Sequence, residues 1–340
     1  MRDTGTRDAV VFDAAGALDA AGALDAGARD GGRLDAGGGG VGPTTCDFVD
    51  SGPITLRSGD TITCLRISNP SGPCITGNDV TDVRITNNLI GPCGPATDGI
   101  GIDVFRASRI RVDHNAFDDI ASAFYLTGDG EGSDVVFAHN LATRIRGPFS
   151  RGQMVQLNGV HGSGNRIICN VSDQPTTGHL DGPEDHVNIF SSGGTAASPI
   201  EVAYNKIRGG GPSTSGGGLL AGDNDSAYVD VHDNILVNPG QYGLAIAGGH
   251  DIRFANNRVF SPEVFAWSNI GLYVWNQTPS APCYGHEVSG NRVYYTDNDG
   301  TTNHSWNAEN CGDVAGWDTN VWGDDSLTAG IWDDTFPECE

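Results

Sequence analysis

A short phrase of apolar, polar, apolar, two residues, Asn, one residue and another apolar recurs along the chain as VRITNNLI, IRVDHNAF, VVFAHNLA, IEVAYNKI, VDVHDNIL, IRFANNRV and HEVSGNRV. With the variant NRIICNVS, the Asn falls at Asn88, Asn115, Asn140, Asn170, Asn205, Asn234, Asn257 and Asn291, at intervals of 27, 25, 30, 35, 29, 23 and 34 residues. A constant phrase at variable spacing marks stacked coils whose loops differ in length. Five and three positions before the Asn stand pairs such as Val83 and Ile85, Ile110 and Val112, or Val229 and Val231. This alternation predicts a short strand with one face inward. The Asn then turns the chain, and its amide both donates and accepts, so stacked Asn residues are expected to bond one another. The fourth repeat departs from the pattern at Asn165 and Ser172, and the last puts His286 at an apolar position.

Each repeat also carries a second strand, in GIGIDV, SAFYL, QMVQL, HVNIF, GGLLAG, YGLAIA and IGLYVW. Ile102 and Val104, Phe124 and Leu126, Val155 and Leu157, and Val187 and Ile189 are read as inward, leaving their neighbours outward. Stacking such coils about 4.8 Å apart buries inner faces that no single coil could bury, which is a parallel β-helix. The 50 Gly and a single Lys, Lys206, argue against a helical bundle. Residues 1–43, with DAAGALDAAGALDA, have neither helical nor strand periodicity and are expected to be a disordered Asp/Ala/Gly tether. Residues 44–295 are assigned to the β-helix. Residues 296–340, with Trp306, Trp317, Trp322 and Trp332, are assigned to a Trp-rich capping extension.

The net charge of −24 disfavours nucleic acid, whose phosphates need Lys and Arg. A local cationic groove can still sit on an acidic exterior. The eight Cys include no C-x-x-C pair and predict disulfides in a protein secreted or held at the cell-envelope exterior. Cys46 with Cys64, Cys74 with Cys93, and Cys283 with Cys311 are expected local bridges. No apolar run reaches the length of a membrane span, and a monomer is expected.

On this repeat grammar, residues 45 to about 295 resemble the right-handed parallel β-helix proteins of the pectate-lyase-like superfamily, with its carbohydrate-active and NosD-like members. The resemblance implies an all-β, single-stranded right-handed solenoid. It also implies chemistry on acidic polysaccharides, which most enzymes of the superfamily cleave or epimerise. No motif carries catalytic residues over one by one.

Candidate residues come from the outward positions. β-Elimination on a uronate chain needs a neutralised carboxylate, a proton acceptor and a proton donor. His186, in QPTTGHLDGPEDHVNIF, is the expected base. Tyr125 is the expected acid, and Lys206 is a second base candidate. Arg151 and Arg208 complete the catalytic set as charge partners of the substrate. Gln156, Asn188, Arg146, Asp103 and Tyr273 are expected to bind substrate. If Arg146 and Arg208 stack in register they would lie about 10 Å apart, a spacing suited to alternate carboxylates. Gly218, Gly243 and Gly271 read as an outer face made for close approach. Asp181, Glu184 and Asp185 are hard-oxygen candidates for Ca²⁺. The expected function is a secreted polysaccharide lyase. The alternatives are a glycoside hydrolase or C5-epimerase, with Asp103 and Asp185 as the hydrolytic pair, and a noncatalytic glycan-binding or surface-display helix.

Overall fold

The computed structural model describes residues 40–174 and 182–340. Most of the expected tether, together with His179 and Asp181, lies outside the described residues. Among the described residues the strands form an 11-stranded and an 18-stranded sheet, and the paired strands run parallel. Most coils contribute three strands. The first, such as Ser122–Thr127, Val155–Asn158 or Val187–Phe190, belongs to a leading strip. The second, such as Val135–Ala138 or Ile200–Ala203, belongs to a trailing strip that ends at the repeated Asn. The third, such as Leu141–Ile145 or Lys206–Arg208, belongs to the 11-stranded return sheet. Two long strands, Ile75–Thr86 and Ile100–Asp113, run through both strips and join them into one sheet. The chain is therefore a parallel β-helix.

Inward columns are built from the predicted apolar frame. On the trailing strip Ile85, Val112, Phe137, Ile167, Val202, Val231, Phe254 and Val288 stand one above another. On the leading strip the column is Ile102, Phe124, Val155, Val187, Leu219, Leu244 and Leu272. All of them belong to one continuous buried core.

At the corner, the Asn residues form the expected ladder. The backbone N–H and side-chain Nδ2 of Asn115 both donate to Asn140 Oδ1, each at 3.0 Å, and the same double bond links Asn205 to Asn234 at 2.9 and 3.0 Å. The residue before each Asn is left-handed, as at His114 and His139 (φ 55°), Tyr204 (φ 59°) and Asp233 (φ 53°). Such a backbone is unfavourable for residues other than glycine. Here the ladder fixes the turn, because a buried amide that left its neighbours unsatisfied would cost more. The ladder runs one rung past the expected end of the helix: Asn291 donates to Asn320 Oδ1 at 2.8 Å from both its backbone and its side chain. Ser305–Asn307 and Val321–Trp322 extend the two sheets into the region read from sequence as a cap.

The Trp-rich end thus divides three ways. Trp317 and Trp322 pack against the end of the core. Trp332 lies with Leu327, Ile331 and Phe336 on the outside of the return sheet, against Ile235 and Val237. Trp306 stays exposed. Disulfides join Cys46–Cys64, Cys74–Cys93 and Cys283–Cys311, and a fourth, Cys169–Cys339, spans 170 residues to pin the C-terminal segment to an Asn corner. Among the described residues no helix is long and apolar enough to cross a membrane.

Candidate active site

The outer face of the leading strip carries one column in register: Asp103, Tyr125, Gln156, Asn188, Leu220, Ala245, Tyr273 and Trp306. A cleft of about 410 Å³ opens over its middle, lined by Tyr125, Arg151, Gln156, Asp185, Asn188 and Asp223, with Phe149, Glu184, Leu220 and Gln277 at its margins. The guanidinium of Arg151 lies 4.3 Å from the centre of the Tyr125 ring. Among the described residues Arg151 has no carboxylate partner within ion-pair distance, whereas Arg106, Arg109, Arg144, Arg208 and Arg292 are each paired. Asn158 Nδ2 donates to the Tyr125 hydroxyl at 3.4 Å.

The acidic end of the cleft is fixed from below. Asp185 accepts from Gly217 N–H (3.1 Å), the Tyr242 hydroxyl and Asn188 Nδ2 (2.8 Å). Burial nonetheless pushes its pKa up to about 7, outweighing those donors. Asn188 Nδ2 also reaches Asp223 Oδ2 at 3.3 Å, so the two carboxyl groups approach to within about 6 Å of each other through one amide. Burial raises the pKa of Asp223 and of Asp103, with Arg151 opposing the shift at Asp103. The glycines of SGGG let the next coil pack closely against this segment: a Cβ on Gly216 would lie 1.6 Å from Glu184 O.

Several expected placements are corrected. His186 is not on the outer face. It is fully buried, with Ser172 Oγ 2.8 Å from Nδ1 and Gly209 O 2.8 Å from Nε2. Gln174 Nε2 donates to Ser172 Oγ at 3.1 Å, which leaves the serine proton for Nδ1 and makes Nε2 the protonated nitrogen of a neutral ring. Burial lowers the His186 pKa to about 4. The strand is entered through a bend, so alternation slips by one at its first residue. His186 and Val187 both point in, and Asp185 takes the outward place. The same slip turns Gly218, Gly243 and Gly271 inward, where a Cβ would strike Leu236, Val259 and Val293 at 2.4, 2.6 and 2.3 Å. These glycines are small because the return sheet comes close, so they offer no face to a sugar.

Lys206 and Arg208 lie on the return sheet, away from the cleft. Lys206 Nζ donates to Trp332 O at 2.8 Å, and burial lowers its pKa. Arg208 forms a two-pronged pair with Asp173, at 2.8 and 2.6 Å, beneath the Trp332 ring. Arg146 donates to Cys93 O and Gly94 O and pairs with Asp119. It does not stack with Arg208, whose register runs through Asp173 to Thr143. Tyr273 is in the outer column but buried edge-on against Tyr242, its hydroxyl accepting from Gln277 at 2.7 Å. Asp103 and Asp185 are separated by about three coil rises, roughly 14 Å, too far to flank one bond.

Of the expected metal ligands, the two described ones, Glu184 and Asp185, have their oxygens already engaged by protein donors. The oxygens of Glu184 accept from Ser213 and Ser215, and those of Asp185 are held by three donors. Ca²⁺ needs about six to eight oxygens free to converge on it. Among the described residues the grouping with ligand spacing is Cys283, His286 and Cys311, and its cysteines are joined as a disulfide. Sequence reasoning passed over Tyr242 and Phe149. Asp223, with Asp225 in AGDNDSAY, reads from sequence as a weak acidic metal site or a turn, and only the register across coils brings it beside Asp185.

Fold and cleft together define a parallel β-helix with a groove on one strip in which three carboxyl groups and one arginine stand among neutral polar side chains. No family model matches the chain, and no curated protein matches it. A solved structure of an alginate lyase from Paenibacillus sp. str. FPU-7 is similar, with a TM-score of 0.49 and 13% identity over 79% of this chain and 89% of that one. A likeness at that level carries nothing about chemistry.

Proposed function

We propose that the protein is a polysaccharide lyase that cleaves a uronic-acid-containing chain by β-elimination in the leading-strip cleft. The observation that carries this reading is Arg151, a cation without a carboxylate partner among the described residues, set against Tyr125 in a groove. An unpaired guanidinium in such a place is built for an anion. In this reading Arg151, which also acts on Asp103, neutralises the uronate carboxylate, and the amides of Gln156 and Asn188 hold the sugars that follow along the row. Asp103, beside Tyr125 in register, takes the C5 proton, its raised pKa suiting it as a base. The C–H electron pair forms the C4=C5 double bond, the C4–O bond breaks, and Tyr125 protonates the leaving oxygen. No step is routed through Ca²⁺. The four disulfides suit work in an oxidising, extracellular setting.

A second reading, glycoside hydrolysis, is favoured by one observation: Asp185 and Asp223, both with raised pKa, share the Asn188 amide. Incubation with alginate, pectate, glucuronan and glycosaminoglycans separates the two. Lyase action gives products absorbing as unsaturated uronates. New reducing ends without that absorbance would replace elimination by hydrolysis, and neither product would leave epimerisation or binding.

A further inference from the structure

Two indole rings stand on the same face as the cleft and have no part in the chemistry above. Trp275 is 40% exposed and Trp306 48%, in contrast to Trp317 and Trp322, which pack on the core. Their ring centres are 5.9 Å apart and the planes are tilted by 45°. Trp306 is the last member of the column that begins at Asp103 and passes through Tyr125, Gln156 and Asn188. Trp275 directly follows the preceding strand of the strip, Ile270–Val274, and Gln277, two residues on, lines the cleft and is tied to Tyr273 in the same column. Leu220, Ala245 and Tyr273, the column members between the cleft and Trp306, are buried, and the exposed Gln277 forms the link from the cleft to Trp275.

We propose that Trp275 and Trp306 form a distal subsite that stacks pyranose rings of the same glycan chain that occupies the cleft. Exposed indoles in contact with water are costly unless something apolar covers them, and the C–H face of a pyranose is apolar while its rim is polar. A second copy of this chain would also cover them. Position favours the glycan: Trp275 stands two residues from Gln277, which lines the cleft, and Trp306 stands in the column of Tyr125, Gln156 and Asn188. From Gln156 to Trp306 there are five coil rises, about 24 Å. A coil rise is close to the length that one pyranose adds to a chain. A trisaccharide held in the cleft falls short of the Trp pair, and a polymer reaches it. The subsite would thus make the protein prefer long chains.

This inference rests on the cleft as the place where the glycan is held, and binding can be read separately from cleavage. Affinity would be measured for alginate, pectate and glucuronan polymers and for their trisaccharides, with the full chain and with Trp275→Ala/Trp306→Ala, using indole emission and calorimetry. The double variant is expected to bind the preferred polymer about tenfold more weakly and its trisaccharide unchanged within about twofold. Trp275→Tyr/Trp306→Phe should retain most of the polymer affinity, which separates ring stacking from a loss of fold. Equal loss for polymer and trisaccharide, unaltered polymer binding, or no polymer bound at all overturns the proposal. So does wild-type self-association that the double variant abolishes while polymer affinity stays. Loss of polymer affinity without any cleavage product would uphold the subsite and remove the lyase reading.

Discussion

Two cation and aromatic pairs of almost equal geometry sit on different faces of this helix. Arg151 lies 4.3 Å from the ring centre of Tyr125, and Arg208 lies 4.2 Å from that of Trp332. Arg208 is also clasped by Asp173 and covered by the C-terminal segment that Cys169–Cys339 anchors. Arg151 faces a cleft, and no described carboxylate is paired with it. The same residue types thus fasten a segment on one face and present an unspent charge on the other. What separates them is the partner supplied by the neighbouring coil.

The largest expected effect falls on the open pair. Tyr125→Phe keeps the ring beneath Arg151 and removes the proton, so turnover on the cleaved polymer should fall about 10²- to 10⁴-fold with the melting temperature unchanged. Steady-state kinetics and a melting curve test this together. Near-normal turnover would move the acid elsewhere and make the two pairs alike.

His186 sharpens the comparison from within the core. His186→Leu leaves the Ser172 hydroxyl proton without an acceptor and Gly209 O without a donor, and should cost about 1–3 kcal/mol of stability, with turnover at permissive temperature little changed. The pH dependence gives a second check. The free imidazole titrates near 6.5, whereas the buried one is held down to about 4. Between those values the unfolded chain binds more protons than the folded chain. Stability contributed by keeping His186 neutral is therefore present above pH 6.5 and is lost as pH falls towards 4. In His186→Leu that part of the acid slope should vanish. The share due to His286, lowered to about 4 by the same cause, should remain. An acid slope identical to wild type would place His186 in contact with solvent.

The smallest effect is expected at the covered pair. Arg208→Ala should leave turnover within about twofold and lower stability by about 1 kcal/mol or less, because its ion pair with Asp173 is partly exposed. The loss should shrink in high salt. A fall in substrate affinity instead would mean that the return sheet also meets the glycan.

Much of the architecture was legible because it is repetitive. The Asn ladder and the trailing-strip columns follow from residue types recurring at fixed offsets, while three of the disulfides join cysteines that are near one another in sequence. A stacked coil places like residues over like, so a phrase seen once is tested again in each coil. Even so, Asn320 was missed, since Ala315 and Trp317 replace the usual branched residues in its frame.

The candidate site was legible only where strict alternation held. Tyr125, Gln156 and Asn188 lie mid-strand, and alternation placed them correctly on the outer face. His186 and the glycines of its column stand at the strand entrance, where a bend set by the close return sheet shifts the alternation by one. Alternation is a local property of a straight strand, and nothing in HVNIF records the distance to a neighbouring sheet. Lys206 and Arg208 show the same limit over a longer range: their strand was recognisable, but its cover comes from Trp332, more than a hundred residues later. The sequence by itself determined that the chain winds into coils with an Asn corner and an apolar interior, because those features repeat. The tertiary structure alone decided which polar side chains share a cleft, because loops of unequal length and a returning C-terminal segment set the company each one keeps.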